Sequence, residues 1–504
     1  MIPLHLLLQT QAIPAPARPE LVMTGLAYLV ICAAIATWAV RRTRTAPDYF
    51  VAGRSIGVWA LALSAMAAAL SGFGFIGGPG LVYTVGMGAV FIILPVSITN
   101  SLSGWVLARR IRLLGEVRGL MTVPDAIGAR YRSPTAQGLA AVAILIATVG
   151  YVATNFLALG LVVDAVFHTG LSAGIWIGAA AVLLYTAPGG MLAGVYTDVF
   201  QGAVMALAST LVFVAALGSG GGLRHLSQTL LEHDPRWFGP WGTLPPLAAI
   251  SFFFVFSVGA LGQPHVIHKF YMLRDVRKLR WYPLLMTVAM SLALLLFVGV
   301  GLAMRGAVIR GDLPPLARAD DATPLFLLRY ASPLLAGVVF SGVTAAIMST
   351  VNSFLNVAAA AVTHDIPRAF GWPPRNELVL GRSATVVLSI FAVVLALRSG
   401  ALVALLGVFG WGLFASTLVP ALAFGLCWSG ATRVGALTSM TVGLVTTLVG
   451  ESLVWGKVYA LPAGVTVSGL ALVVSLLTFF AVSWCTRADA AGDLDPDVAL
   501  ILES

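Results

Sequence analysis

Apolar runs recur from one end of the chain to the other. Most approach or exceed the roughly 20 residues that cross a bilayer, and polar residues gather mainly in the short stretches between them. The pattern predicts about thirteen helical spans, near 21–40, 56–80, 86–108, 136–163, 170–188, 196–217, 245–264, 282–304, 325–362, 383–398, 400–427, 433–451 and 462–484. The ninth is too long for one straight crossing and is expected to include a helical extension outside the bilayer. The fold class expected is an all-α polytopic membrane protein. One transmembrane domain covers 21–484, between a short outer tail, 1–20, and an acidic cytoplasmic tail, 485–504, read as disordered.

Two spans are interrupted. The second reads LSAMAAALSGFGFIGGPG and the seventh FSVGALGQPH. Glycine and proline free backbone groups that must find partners in protein or water. Close helix packing through small residues accounts for either span alone. The two lie five spans apart and so run in opposite directions, and paired interruptions in two halves point to a transporter's binding site. Spans 2–6 and 7–11, about 55–217 and 245–427, then form two inverted repeats, with span 4 corresponding to span 9.

Span 9 carries AAIMSTVNS in its apolar centre. Ala346, Ser349 and Thr350 stand at i, i+3 and i+4 on one helix face. They offer one carbonyl and two hydroxyl oxygens, and Ala67 and Leu70 in the broken part of span 2 add two carbonyls. Neutral oxygens suit a hard cation, and the lack of a carboxylate favours a monovalent one. The competing reading is that each hydroxyl bonds the preceding turn of its own helix. No acidic residue lies at mid-depth, which favours sodium over a proton as the coupled ion.

Composition removes other classes. The chain is 59% hydrophobic and 10% charged, whereas soluble domains carry about 25% charged residues. The net charge of +9 is spread over short loops without a continuous basic stripe, so no nucleic-acid partner is expected. Most lysines and arginines fall on one side, including Arg41, Arg42, Arg44, Arg54, Arg109 to Arg132, and Lys269 to Arg280. That side is read as cytoplasmic, with the N-terminus outside and the C-terminus inside. His265 and His268 are read as interfacial or solvated within the same inner loop. Enzymatic chemistry would need convergent titratable groups in the membrane, and no such set is visible.

Four stretches, in order, resemble one family: DYFVAGRSIGVWALALSAMAAALSGFGFIGGPGLVYTVG, PGGMLAGVYTDVFQG, GQPHVIHKFYMLRD and AAIMSTVNSFLNVAAAAVTHDI. The family is the sodium/solute symporters, which includes proline, pantothenate, sialic acid and sugar symporters. The resemblance implies a leucine-transporter-type five-plus-five inverted repeat with about thirteen helices. It implies a sodium ion held by Ala67, Leu70, Ala346, Ser349 and Thr350, the same set reached from spacing. Asp198 matches an acidic residue on the family's inner sodium exit path, although a carboxylate at a helix N-terminus reads equally well there. Phe73, Tyr151 and Phe256 match solute-facing aromatics. Proline symporters carry tryptophan at the first and third of these positions and aspartate at the position of Ala69. The FIGGPG and MSTVN wording is closer to pantothenate symporters.

A small-molecule solute is expected beside the two breaks, at Ser71, Gly72 and Phe73 and at Phe256 and Gln263, with Tyr151 and Asn155 facing it from span 4. Gln263 reads equally as a cap for loose backbone, and Tyr151 with Asn155 as interhelical hydrogen bonding. The function expected is sodium-coupled symport of an amino acid or carboxylate by alternating access in the cell membrane. The alternatives are a solute sensor working through a separate signalling partner and a proton-coupled symporter. Solute identity, ion stoichiometry and oligomeric state are not readable from the residues.

Overall fold

A computed structural model describes residues 19–399, 403–462, 464–487 and 494–502. Regular structure among them is helical, apart from an isolated bridge between Ile56 and Leu273. The predicted outer tail lies outside these residues except for Pro19 and Glu20, which open the first helix, α1 (Pro19–Val40).

The second span is two helices, α2 (Val58–Ala69) and α3 (Gly78–Val85), joined by a π-helical turn at Phe73–Gly77. Leu70 is extended (φ −96°, ψ 102°) and ends α2. Gly72 is required by a close approach: a Cβ there would stand 2.6 Å from the Ala158 methyl. A short helix, α4 (Val123–Tyr131), precedes the long α5 (Pro134–Phe167) and α6 (Leu171–Ser219). α6 kinks at Gly190, whose φ of +55° favours glycine, and the Tyr49 ring packs 2.5 Å from where its Cβ would be.

The seventh span is likewise divided, into α7 (Pro246–Gly259) and α8 (Pro264–Ile267). Gln263 between them is extended (φ −78°, ψ 101°), as expected of a residue before proline. α9 (Pro333–Ala360) begins at Ser332, whose side chain caps Leu335 N, with proline at its first position. The ninth apolar run is therefore not one extended helix. It is a separate helix, Ala322–Tyr330, followed by α9, because the Ser332–Pro333 pair starts a new helix. Beyond α9 come α10 (Glu377–Ser399), α11 (Val403–Val419) and, near the end of the chain, α12 (Pro496–Leu502).

Eleven helical runs among the described residues are long and apolar enough to cross a bilayer, against the thirteen expected. The difference has a physical origin. The run Leu171–Ser219 holds both the fifth and sixth expected spans, and Phe73–Arg118 holds the second half of span 2 together with span 3. At 49 and 46 residues each is about twice one crossing.

Burial separates centre from rim. The most apolar windows of α5 and of the run containing α9 are 72% and 78% buried, against 22% for α1. The rim turns Leu184, Val214, Val387 and Phe391 outward, as a lipid-facing surface requires. α9 packs along α6, α5 and α1, so its polar face opens onto protein rather than lipid.

The acidic tail also departs from expectation. Asp495 pairs with Arg118 and, at 3.2 Å, with Arg132, while Asp497 meets Arg118 at 3.0 Å. Burial pushes the Asp495 carboxyl up, but its hydrogen bonds with these arginines pull it further down, below the usual carboxylate range. The ion pairs anchor α12 against the helix Arg109–Arg118. Asp489 and Asp493 lie outside the described residues.

Candidate ion and solute site

Where α2 stops at Leu70, its last carbonyls lose their helical partners. Two hydroxyls of α9 take them. Ser349 Oγ donates to Ala67 O at 2.6 Å, and Thr350 Oγ1 reaches Ala68 O at 3.0 Å and Leu70 O at 3.3 Å. Ser349 Oγ also lies 3.1 Å from Ala346 O, the back-bond to its own helix. The five oxygens predicted from spacing thus fall in two buried sets on adjacent residues of α9, Ser349 Oγ with Ala67 O and Ala346 O, and Thr350 Oγ1 with Leu70 O, where Ala68 O also joins. Both are neutral and offer oxygen only, a donor set that suits a hard monovalent cation. A hydroxyl has two lone pairs besides its proton, so the oxygens that now hydrogen-bond are also able to coordinate.

The predicted solute residues surround the same break. Ser71 Oγ and Tyr151 Oη are 3.1 Å apart, Gly72 N donates to Asn155 Oδ1 at 2.9 Å, and Phe73 N donates to Ser71 Oγ at 3.1 Å. Asn155 Nδ2 also bonds Tyr151 O, so both interhelical and intrahelical bonds hold this pair in place. Phe73 stacks on Phe256 with ring centroids 5.8 Å apart, and Phe256 packs on Trp411 at 5.3 Å. These rings, with Tyr151 and Leu70, line a cavity of about 20 Å³, room for little more than a water. Gln263 stands at the other break. Its Nε2 donates to Gly259 O at 3.0 Å and to Trp411 O at 3.5 Å, while Oε1 is buried with no hydrogen-bond partner among the described residues.

Asp198 is fully buried, and its partner is Lys269. The ammonium lies 2.7 Å from Asp198 Oδ2, which also accepts from Ser64 Oγ at 2.8 Å. Lys269 further donates to Ser64 Oγ at 2.7 Å. Ser64 sits on α2 one turn before Ala67, so this pair grips the helix that supplies the carbonyls. Asp198 Oδ1 has no hydrogen-bond partner among the described residues.

Three residues of the expected inner loop are therefore placed differently. Lys269, His265 and His268 are buried rather than solvated. A buried ammonium needs a counter-charge, and Asp198 supplies it. His268 Nε2 lies 2.6 Å from Phe50 O, and the His265 ring packs 3.9 Å from that of Phe354. Sequence reasoning also missed Trp411 and Ser64. The tryptophan in GVFGWG, on a span of the second repeat, was the available signal for the first.

A family model described as the sodium:solute symporter family matches residues 49–443. The chain is 29% identical over 477 residues to an osmoregulated proline transporter of Bacillus subtilis, covering 91% of this chain and 95% of that one. It is 28% identical over 481 residues to a sodium/pantothenate symporter of Escherichia coli, again covering 91% and 95%. Its fold matches the substrate-bound outward-open structure of a Na+-coupled sialic acid symporter, with TM-score 0.78 at 17% identity over 94% of this chain and 98% of that one.

Proposed function

Since the chain belongs to the sodium:solute symporter family, with its leucine-transporter-type fold, we propose that it couples inward sodium flow to uptake of a small organic solute. The observation that carries the reading is the closure of the Ser349 and Thr350 hydroxyls on the carbonyls of a broken helix. Sodium is the co-transported ion. It binds Ala67 O, Leu70 O, Ala346 O, Ser349 Oγ and Thr350 Oγ1, replacing the hydrogen bonds between them. Binding draws α2 and α9 together and favours the outward-open form. Inward movement of each charge is driven by about 2.3 kcal/mol per 100 mV of membrane potential.

The solute binds beside the breaks, against Ser71, Gly72, Phe73, Tyr151, Asn155, Phe256 and Gln263. The cavity there is too small for an organic molecule, so entry parts the stack of Phe73, Phe256 and Trp411. The lining carries no charged side chain. A carboxylate is accommodated instead by the positive end of the half-helix that starts at Phe73. These features suit an amino acid or a carboxylate, the class to which proline and pantothenate belong. Sodium leaves past Asp198 once the Lys269 pair opens. On this reading that exit is on the cytoplasmic side, which the excess of lysine and arginine in the adjoining loops supports, and the two long runs each cross twice, for thirteen crossings with the N-terminus outside.

The test is thermal stability of the purified protein against a panel of amino acids and carboxylates, each in sodium and in potassium. A ligand at about 100 times its Kd stabilises the native state by about 2.7 kcal/mol. The expected result is a sodium-only shift that one solute enlarges and that Ser349→Ala with Thr350→Ala removes. Equal shifts in both salts would overturn the sodium assignment.

A further inference from the structure

A second polar cluster is buried where α4 meets the far end of the α9 run, away from the oxygens and aromatics described above. Asp125, in the first turn of α4, accepts from the Met121 and Thr122 amides at 3.0 and 3.3 Å. Its Oδ2 is 3.0 Å from His364 Nε2, and its Oδ1 accepts from Gln137 Nε2 at 2.8 Å. Asp365 Oδ1 accepts from Thr122 Oγ1 at 2.5 Å, while its Oδ2 is buried with no hydrogen-bond partner among the described residues. One ligand atom from each of Asp125, His364 and Asp365 lies within 4.8 Å of the other two. All three residues are more than nine-tenths buried.

The other imidazole nitrogen, His364 Nδ1, faces Glu377 Oε2 at 3.2 Å. A histidine whose second nitrogen donates to a carboxylate, leaving the first aimed at anionic oxygens, is the arrangement of a metal-ligating imidazole. The charges point the same way. Three carboxylates converge here, and Arg368, 3.2 Å from Glu377, balances one of them. Two carboxylates, Asp125 and Asp365, remain around a single imidazole. A proton on the imidazole offsets one of them, and a divalent cation that takes the place of that proton offsets both.

We propose that Asp125, His364 and Asp365 form a site for a divalent transition metal of the zinc class. One nitrogen and two carboxylate oxygens suit zinc, with a fourth position left for water, whereas magnesium and calcium prefer all-oxygen shells. Binding opens the 3.0 Å contact of His364 with Asp125 and seats the ion between them, with Asp365 Oδ2 as the third ligand. The metal fastens α4 to the helical run that carries Ser349 and Thr350, so it restrains the movement of α9.

The experiment uses the purified full-length chain, stripped with chelator and then titrated with Zn²⁺ or Mg²⁺. Thermal unfolding and metal retained after gel filtration are both read. One equivalent of zinc retained per chain, with a rise in unfolding temperature that magnesium does not match, is the expected result. His364→Gln and Asp365→Asn should each weaken zinc binding at least 100-fold. If those two variants fail to fold, Glu377→Gln keeps the three ligands and should weaken binding about 10- to 100-fold. Absence of a zinc-specific shift in the unaltered chain would overturn the site. So would a shift that persists undiminished in His364→Gln or, if that variant does not fold, in Glu377→Gln.

Discussion

At Leu70 and at Gln263 an extended residue ends a helix that soon resumes, and in both places carbonyls of the first half turn toward protein. At Leu70 they are met by two hydroxyls from α9. At Gln263 the amide of the interrupting residue reaches back to Gly259 O and across to Trp411 O. The difference lies in what each partner is able to become. A hydroxyl that donates still has lone pairs for a cation, whereas an amide nitrogen donates and has none to offer. The first break therefore suits an ion. The second keeps a buried acceptor, Gln263 Oε1, which suits a donor group on a solute. Two similar interruptions thus hold different chemistry, and Lys269 with Asp198 ties them together, because Lys269 follows the second break while Ser64 precedes the first.

The sharpest way to break the comparison is to cut that tie. Lys269→Ala leaves the Asp198 charge buried without its partner, and removing one member of a buried pair costs about 3–5 kcal/mol. The expected outcome is a large fall in apparent unfolding temperature and no uptake. Lys269→Met combined with Asp198→Leu removes both charges and should recover most of the stability while uptake stays lost. A single variant with wild-type stability would show that the pair does not join the two breaks.

Next in size is the ion side. Each hydroxyl removed leaves a buried carbonyl without its donor, at about 1–3 kcal/mol. Ser349→Ala and Thr350→Ala should each raise the sodium concentration for half-maximal uptake about 10- to 100-fold, taking 1.4 kcal/mol per tenfold. Solute affinity at saturating sodium should change far less. Gln263→Ala should show the opposite split, with an unchanged sodium curve and solute affinity weakened about tenfold, measured in the same uptake assay. If either variant moves both parameters equally, the breaks do not divide the work as described.

How much of this was readable beforehand follows from the range of each interaction. Ala346, Ser349 and Thr350 share a face by helical spacing alone, and the glycines and proline of SGFGFIGGPG mark the break they meet. Both signals are local. Lys269 and Asp198 are 71 positions apart, and a lysine beside Arg274 and Arg277 reads as a loop charge until its counter-charge is located. His265 and His268 were misplaced for the same reason, since their partners Phe354 and Phe50 come from distant helices. The second start at Ser332 was visible as a serine followed by proline three residues after Arg329, but the apolar residues on either side of this short stretch masked the signal. The tail was misread because the arginines that hold Asp495 lie more than 300 residues earlier.

The smallest effect concerns Tyr151, which with Asn155 touches the first break from the side read as the solute's. Tyr151 lends its hydroxyl to Ser71 and its ring to Phe354. Tyr151→Phe keeps the ring and removes one buried hydrogen bond, worth about 1 kcal/mol. Ser71 Oγ would still accept from Phe73 N, so the backbone at the break stays in place. Sodium dependence should be unchanged, and solute affinity should fall about fivefold. If sodium dependence moved with it, Ser71 would belong to the ion's surroundings rather than the solute's, and the boundary between the two would shift by one residue toward Gly72. Tyr151→Phe therefore locates the line within the first break at which ion chemistry gives way to solute chemistry.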